Sequence, residues 1–71
     1  MKMHVYDIKN VGQRVYVEGV RKRRNGDKWE TIPVSTSFDK EYFAQNVKQL
    51  KFPIVIDVKF VKGIGAQFNN G

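Results

Sequence analysis

The dipeptide Asn25-Gly26 is the feature that most constrains the fold of this chain. Asn-Gly favours a type I′ turn, because both central residues of that turn need a positive φ. Two runs rich in β-branched and aromatic residues flank it, from Gln13 to Arg23 and from Lys28 to Thr36. The pattern predicts a β-hairpin with a two-residue loop.

The register of this hairpin follows from the loop by counting outward along both strands. Arg24 then faces Asp27, and the further predicted pairs are Lys22 with Trp29, Val20 with Thr31 and Tyr16 with Ser35. Alternation sorts the side chains into two faces. The apolar face carries Val15, Val17, Ile32 and Val34, with an ion pair predicted between Arg21 and Glu30 near the tip. The polar face carries Tyr16, Glu18, Val20, Lys22, Trp29, Thr31 and Ser35.

A helix is predicted after the hairpin. Asp39 is a suitable N-cap, since its carboxylate can accept from the free N–H groups of a first turn. Phe38 and Phe43 have the spacing of a hydrophobic staple, and Pro53 ends the helix. The predicted apolar stripe continues through Ala44, Val47 and Leu50, with Tyr42 beside it and Lys48 and Lys51 in or near the last turn.

Three further strands complete the predicted order. Alternation indicates strands from Lys2 to Lys9, from Ile54 to Val61 and from Ala66 to Phe68. Residues 69–71 are predicted to fray. Pro33 lacks an N–H and indicates an edge strand, a bulge or an outward-facing bond.

The order β-β-β-α-β with a short fifth strand predicts a mainly β chain with one helix. Its 71 residues predict a single small domain over residues 1–71, with room for one core. Two architectures fit this order. One is a small, partly closed barrel of OB type, and the other is an open antiparallel sheet packed by one helix.

The charge of the chain favours a polyanionic partner. Thirteen Lys and Arg residues against seven Asp and Glu give a net charge of +6, and the pI is near 9.8. The cations concentrate at the hairpin tip, where they are Arg21, Lys22, Arg23, Arg24 and Lys28. Such a cluster would contact phosphates of a nucleic acid. A solvated tip that resists edge-to-edge aggregation is the plainer interpretation.

Aromatic residues interleave with these cations. Trp29 and Tyr16 share the polar face of the predicted hairpin and would stack on bases, while Thr31 and Ser35 would supply hydrogen bonds. The alternative is that Trp29 caps the core under the helix. The bend around Gly63 and Gly65 places Lys62, with Ile64 and Gln67, where barrels of this type contact oligonucleotides.

The sequence therefore predicts a nucleic-acid-binding protein that prefers single-stranded DNA or RNA. The alternative is a non-enzymatic interaction module that binds an acidic protein partner, as an inhibitor or accessory subunit. A homodimer through Phe68 and the last strand is compatible with either hypothesis.

We expect neither catalysis nor a cofactor nor a metal. The chain has no cysteine, and His4 is its single histidine. No apolar run reaches the ~18 residues of a membrane span, so the expected location is the cytoplasm.

Overall fold

The computed structural model describes residues 1–48 and 51–69 and contains five strands and one short helix in the predicted order. The elements are β1 (Lys2–Val11), β2 (Arg14–Asn25), β3 (Lys28–Asp39), α1 (Lys40–Asn46), β4 (Ile54–Val61) and β5 (Gly65–Phe68). The predicted bounds of β4 are confirmed, whereas β1, β2 and β3 each extend beyond the predicted ranges.

All five strands pair antiparallel in one sheet with the order β3-β2-β1-β4-β5. The sheet curls until its two end strands approach each other, and the ring of Phe38 on β3 stacks on Phe68 of β5 at 4.6 Å. The result is a nearly closed barrel with the helix between the third and fourth strands. Of the two predicted architectures, the OB-like barrel is the one that forms. Pro33 lies on β3, an end strand of the sheet, as its missing N–H predicts.

The barrel core is entirely apolar among the described residues. Its buried side chains are Met3, Val5, Val15, Val17, Phe38, Phe43, Ile54, Ile56, Val58 and Phe68. Val15 and Val17 confirm the predicted inner face of the hairpin. Val34 packs at the border of this core, but Ile32 is only half-buried and lies outside it.

A bulge in β1 explains why that strand shows no simple alternation. Val5 pairs with Gly19 and Asp7 pairs with Glu18, so Tyr6 is the extra residue and is exposed. One inserted residue exchanges the faces of everything beyond it. Met3 and Val5 before the bulge and Ile8 after it therefore all pack against the core.

Gly19 marks the point where β2 comes closest to β1. A Cβ atom added at this position would overlap the backbone carbonyl oxygen of His4. Glycine is required here by the close approach of two backbones and not by a turn.

The predicted loop of the central hairpin is wrong by one position. Asn25 pairs with Lys28, so the loop is Gly26-Asp27, and of these two residues only Gly26 has a positive φ, +64°. A two-residue loop with glycine first suits a type II′ turn. The pairing moves accordingly, and the observed pairs are Arg24 with Trp29, Lys22 with Thr31, Val20 with Pro33 and Tyr16 with Ser37. Because the shift is two residues, the two faces keep their predicted members.

The helix begins as predicted and ends early. The Asp39 carboxylate accepts hydrogen bonds from the N–H groups of Glu41 and Tyr42, each at 3.2 Å, which confirms the N-cap. The rings of Phe38 and Phe43 lie 5.7 Å apart, as a staple requires. The helix has seven residues, whereas the predicted one continues to Pro53, and Val47 is already extended.

Because the helix is short, several residues predicted for its apolar stripe and last turn lie outside it. Lys48 and Lys51 lie beyond the helix and are exposed, and Leu50 falls outside the described residues. Tyr42 has a specific role, because its hydroxyl accepts a hydrogen bond from the N–H of Phe68 at 2.8 Å. This bond serves the backbone of β5 at the edge where no strand pairs with it.

The C-terminal end is anchored further than predicted. Asn69, assigned above to a frayed tail, donates its N–H to the Asp57 carbonyl at 2.9 Å and its side-chain amide to the Asp57 carboxylate at 3.1 Å. The pKa of Asp57 is lowered, first by this amide and then by the N-terminal ammonium group. Residues 70 and 71 lie outside the described part.

Candidate functional site

The central hairpin continues past the barrel as a two-stranded arm. β1 pairs with β2 up to Val20, whereas β3 accompanies β2 to Asn25. Residues 21–32, here called the arm, therefore have no third strand beside them. The molecule is correspondingly long, 41 Å against 29 and 23 Å in the other directions. The five cations predicted at the hairpin tip all lie on this arm, whereas Lys62 does not.

Trp29 lies in the open on the arm. Its side chain is 65% exposed, so neither the helix nor the barrel covers it. In the ladder it faces Arg24, whose guanidinium carbon lies 5.7 Å from the centre of the indole ring. The same Arg24 donates from Nε to the carbonyl oxygen of Gly26 at 3.1 Å, which holds the guanidinium beside the ring. A shallow groove next to Trp29 is lined by Lys22 and Thr31.

The five cations divide between the two faces of the arm. Lys22 and Arg24 share the face of Trp29 and Thr31, as alternation from the observed pairs requires. The other three, Arg21, Arg23 and Lys28, lie on the opposite face with Glu30 and Ile32. A ligand that lies across Trp29 therefore meets two cations directly and not five.

Glu30 neutralises one cation of the opposite face. Its carboxylate accepts from the Arg23 guanidinium at 2.8 Å and from the Asn25 side-chain amide at 2.7 Å. The ion pair predicted for Arg21 is thus made by Arg23, a consequence of the shifted register. The pKa of Glu30 is lowered, mainly by the Asn25 amide and next by Arg23. Among the described residues, Arg21 and Lys28 are the cations of this face with no carboxylate within ion-pair distance.

Tyr16 shares the outward face with Trp29 but lies far from it. It is 47% exposed and pairs with Ser37, eight residues along β3 from Trp29. At about 3.3 Å per residue the two rings are separated by up to about 26 Å. Glu18, next on the same face, pairs with Asp7 and places two carboxylates close to Tyr16. The predicted single stacking surface is therefore two separate aromatic positions.

A second groove opens where β3 and β5 approach without pairing. It has a volume of about 330 Å³, and the residues that line it include Arg14, Thr36, Ser37, Tyr42, Phe60, Ile64 and Gln67. Ile64 is 67% exposed and Phe60 is 55% exposed. Arg14 donates to the Ser37 hydroxyl at 2.7 Å across the entrance. Lys62 lies in the adjoining β4–β5 loop and is exposed.

Sequence reasoning placed Ile64 and Gln67 near this edge but missed Phe60. Alternation assigns Phe60 to the inner face of β4 with Ile54, Ile56 and Val58. Those three are buried, but the wall that would cover Phe60 is open. Where the barrel stops closing depends on contacts between distant strands, which local alternation does not contain.

Two further features were sought in residues 1–48 and 51–69, a metal site and a membrane-spanning helix. No group of three His, Asp or Glu side chains there is placed to hold a metal ion. Within the same residues no helix is long and apolar enough to cross a membrane. Phe68, the predicted dimer contact, is buried and stacks on Phe38, so its side chain is not offered to a second copy.

Comparisons of the chain with protein-family models, with curated proteins and with solved structures found no match. The surface of the arm and of the groove is therefore the basis for any statement of function.

Proposed function

We propose that this protein binds nucleic acid and prefers single-stranded DNA or RNA. The observation that carries the proposal is the exposure of Trp29 on a cationic arm. Burial of a large aromatic side chain stabilises a small protein, so an indole left in solvent is informative, particularly next to guanidinium groups. Rings combined with neighbouring cations suit the sequence-tolerant binding of unpaired strands.

The side chains of the arm have distinct parts in this proposal. Trp29 stacks on a base, while Lys22 and Arg24 contact the phosphates on either side of it. Thr31, opposite Lys22, offers a hydroxyl to the base or sugar. Arg21, Arg23 and Lys28 lie behind this face and raise the positive potential that attracts the strand. Lys62 and Tyr16 belong to the more distant part of the path, near the second groove.

The preference for single strands follows from stacking. A base inside a duplex is already stacked on its neighbours, and its faces are not available to an indole. The fold is compatible, because OB-type barrels bind oligonucleotides on the face of their second and third strands and on neighbouring loops. The arm consists of these two strands. A cytoplasmic location is part of the same proposal.

Fluorescence of the indole tests the proposal directly, since Trp29 is the single tryptophan of the chain. Titration with an oligonucleotide of about twelve nucleotides should quench the emission, within the usual site sizes of OB folds. Poly-glutamate of equal charge is the matched control, because it can meet the cations but cannot stack. Quenching by poly-glutamate alone would favour an acidic protein partner instead.

Substitution of the ring separates stacking from charge. Replacing Trp29 by alanine should weaken binding by about 1 to 3 kcal/mol, and replacing it by phenylalanine should cost less, because a smaller ring still stacks. Anisotropy of a labelled oligonucleotide measures both variants. Equal affinities for alanine, phenylalanine and the unsubstituted protein would overturn the proposal.

A further inference from the structure

Phe60 lies on the inner face of β4 but is not buried. It alternates with three buried residues of β4 but is 55% exposed. Ile64 in the next loop is also exposed, and both line the groove between β3 and β5. Two large apolar side chains in solvent at one opening mark a binding surface more often than scattered single residues do.

The polar groups around this apolar floor suit a nucleotide. Arg14 is held at the entrance by its 2.7 Å hydrogen bond to Ser37, which leaves its other guanidinium N–H groups to meet a phosphate. Gln67 and Thr36 add an amide and a hydroxyl that can pair with the edge of a base. An aromatic ring, a guanidinium and side-chain amides are the groups by which unpaired bases are held.

The one carboxylate among the residues that line the groove is Asp39, which pairs with Arg14 in the ladder and offsets part of its charge. Its carboxylate also accepts from the N–H groups of Glu41 and Tyr42 at the start of the helix, so it is oriented toward the helix end. Lys62 is an exposed cation on the same loop that contributes Ile64 to the groove. The groove is therefore apolar at its floor and has a net positive charge at its rim, which favours a phosphate-bearing ligand over a cationic peptide.

We propose that the groove between β3 and β5 is a second nucleotide position, in which Phe60 stacks on an unpaired base and Arg14 binds its phosphate. This inference rests on the proposed function, since the occupant is a distant nucleotide of the same strand that contacts Trp29. Tyr16 pairs with Ser37 and therefore lies at the groove end of this path.

The separation of the two positions fixes the length of strand that joins them. Ser37 is eight residues from Trp29 along β3, or about 26 Å at 3.3 Å per residue. A strand with stacked bases advances about 3.4 Å per nucleotide, so about eight nucleotides span this distance and fewer suffice if the strand is extended. Short oligonucleotides reach one position, and long ones reach both.

The test compares oligonucleotides of about four and about twelve nucleotides on the same variants, a choice within known OB-fold site sizes. Phe60→Ala removes the proposed stacking ring without opening the core, because Phe60 is already exposed. Phe52→Ala is the matched control, since Phe52 is 54% exposed and lies outside this groove. Circular dichroism and unfolding curves check that both variants fold.

We expect Phe60→Ala to weaken binding of the long oligonucleotide by about 5- to 150-fold, the loss of one stacked base, and to leave the short one unchanged. Trp29 quenching by the short oligonucleotide should persist. An unchanged affinity for the long oligonucleotide, or an equal loss in Phe52→Ala, would overturn the inference. The inference would also be overturned if Phe60→Ala weakened binding of a mononucleotide but left the affinity for the long oligonucleotide unchanged. Failure of Trp29 quenching at both lengths would instead refute the proposed function itself.

Discussion

The division of cations between the two faces of the arm gives the sharpest prediction. Two double variants remove the same charge from the same arm. Lys22→Gln with Arg24→Gln strips the face of Trp29, and Arg21→Gln with Lys28→Gln strips the opposite face while the Arg23–Glu30 ion pair stays intact. If the strand lies across Trp29, only the first variant should lose direct phosphate contacts.

The expected size follows from counterion release. Each phosphate contact on a single strand contributes about −0.7 to the slope of log K against log salt concentration. Loss of Lys22 and Arg24 should therefore reduce the slope by about 1.4. When salt rises from about 50 to 200 mM, the unsubstituted protein should therefore lose roughly seven times more affinity than this variant. The variant that lacks Arg21 and Lys28 should change the slope by well under one, because these cations attract the strand only from a distance and make no direct phosphate contact.

Anisotropy of a labelled oligonucleotide over a series of salt concentrations is the assay. It is preferable here to tryptophan emission, because Arg24 lies over the indole and its loss alters the fluorescence directly. Equal slopes for the two double variants would refute the assignment of the strand to the Trp29 face. A larger effect of Arg21 and Lys28 would place the strand on the other side of the arm.

Three other predictions concern packing and charge. Gly19→Ala should lower the free energy of unfolding by about 2 to 3 kcal/mol, since the added Cβ overlaps the His4 carbonyl oxygen; an unchanged denaturation midpoint would contradict the close approach. Tyr42→Phe should cost about 1 kcal/mol, because the Phe68 N–H loses its acceptor, and hydrogen exchange at Phe68 should accelerate. If exchange there is unchanged, the bond is not the one that protects that amide. The pKa of Glu30 is below its ordinary value, so its hydrogen bonds stabilise the arm above about pH 4.3 and this contribution is lost as the pH falls. A carboxyl titration by NMR with a pKa at or above the ordinary value would disprove the arrangement.

Much of the fold could be predicted because its signals are local. Alternation identifies Ile54–Val61, and a carboxylate before an amphipathic run identifies the cap at Asp39. The hairpin loop was misplaced because Asn25 and Gly26 suit one turn type and Gly26 and Asp27 suit another. The Asn25 amide binds Glu30 across the ladder, which favours the second.

The features that were missed have a local cause in one case and depend on distant parts of the chain in the others. The helix ends early, where the Asn46 amide donates to the Tyr42 carbonyl at 2.8 Å and Val47 turns extended, whereas the sequence pattern continues to Pro53. The exposure of Phe60 follows from where the barrel opens. Alternation predicts the face of the hairpin on which Trp29 lies. Only the three-dimensional structure shows that no other element covers this side chain.

The number of residues in the arm determines the side on which Trp29 lies. The pair Val20–Pro33 joins the arm to the barrel and fixes which side chains of the arm lie on each face. One residue inserted into each strand would keep every cross-strand pair but would rotate the indole to the far side. Two residues inserted into each would restore its side and carry it about 6.6 Å outward. Relatives or designed variants that vary this reach should therefore do so in even steps, each matching about two more stacked nucleotides.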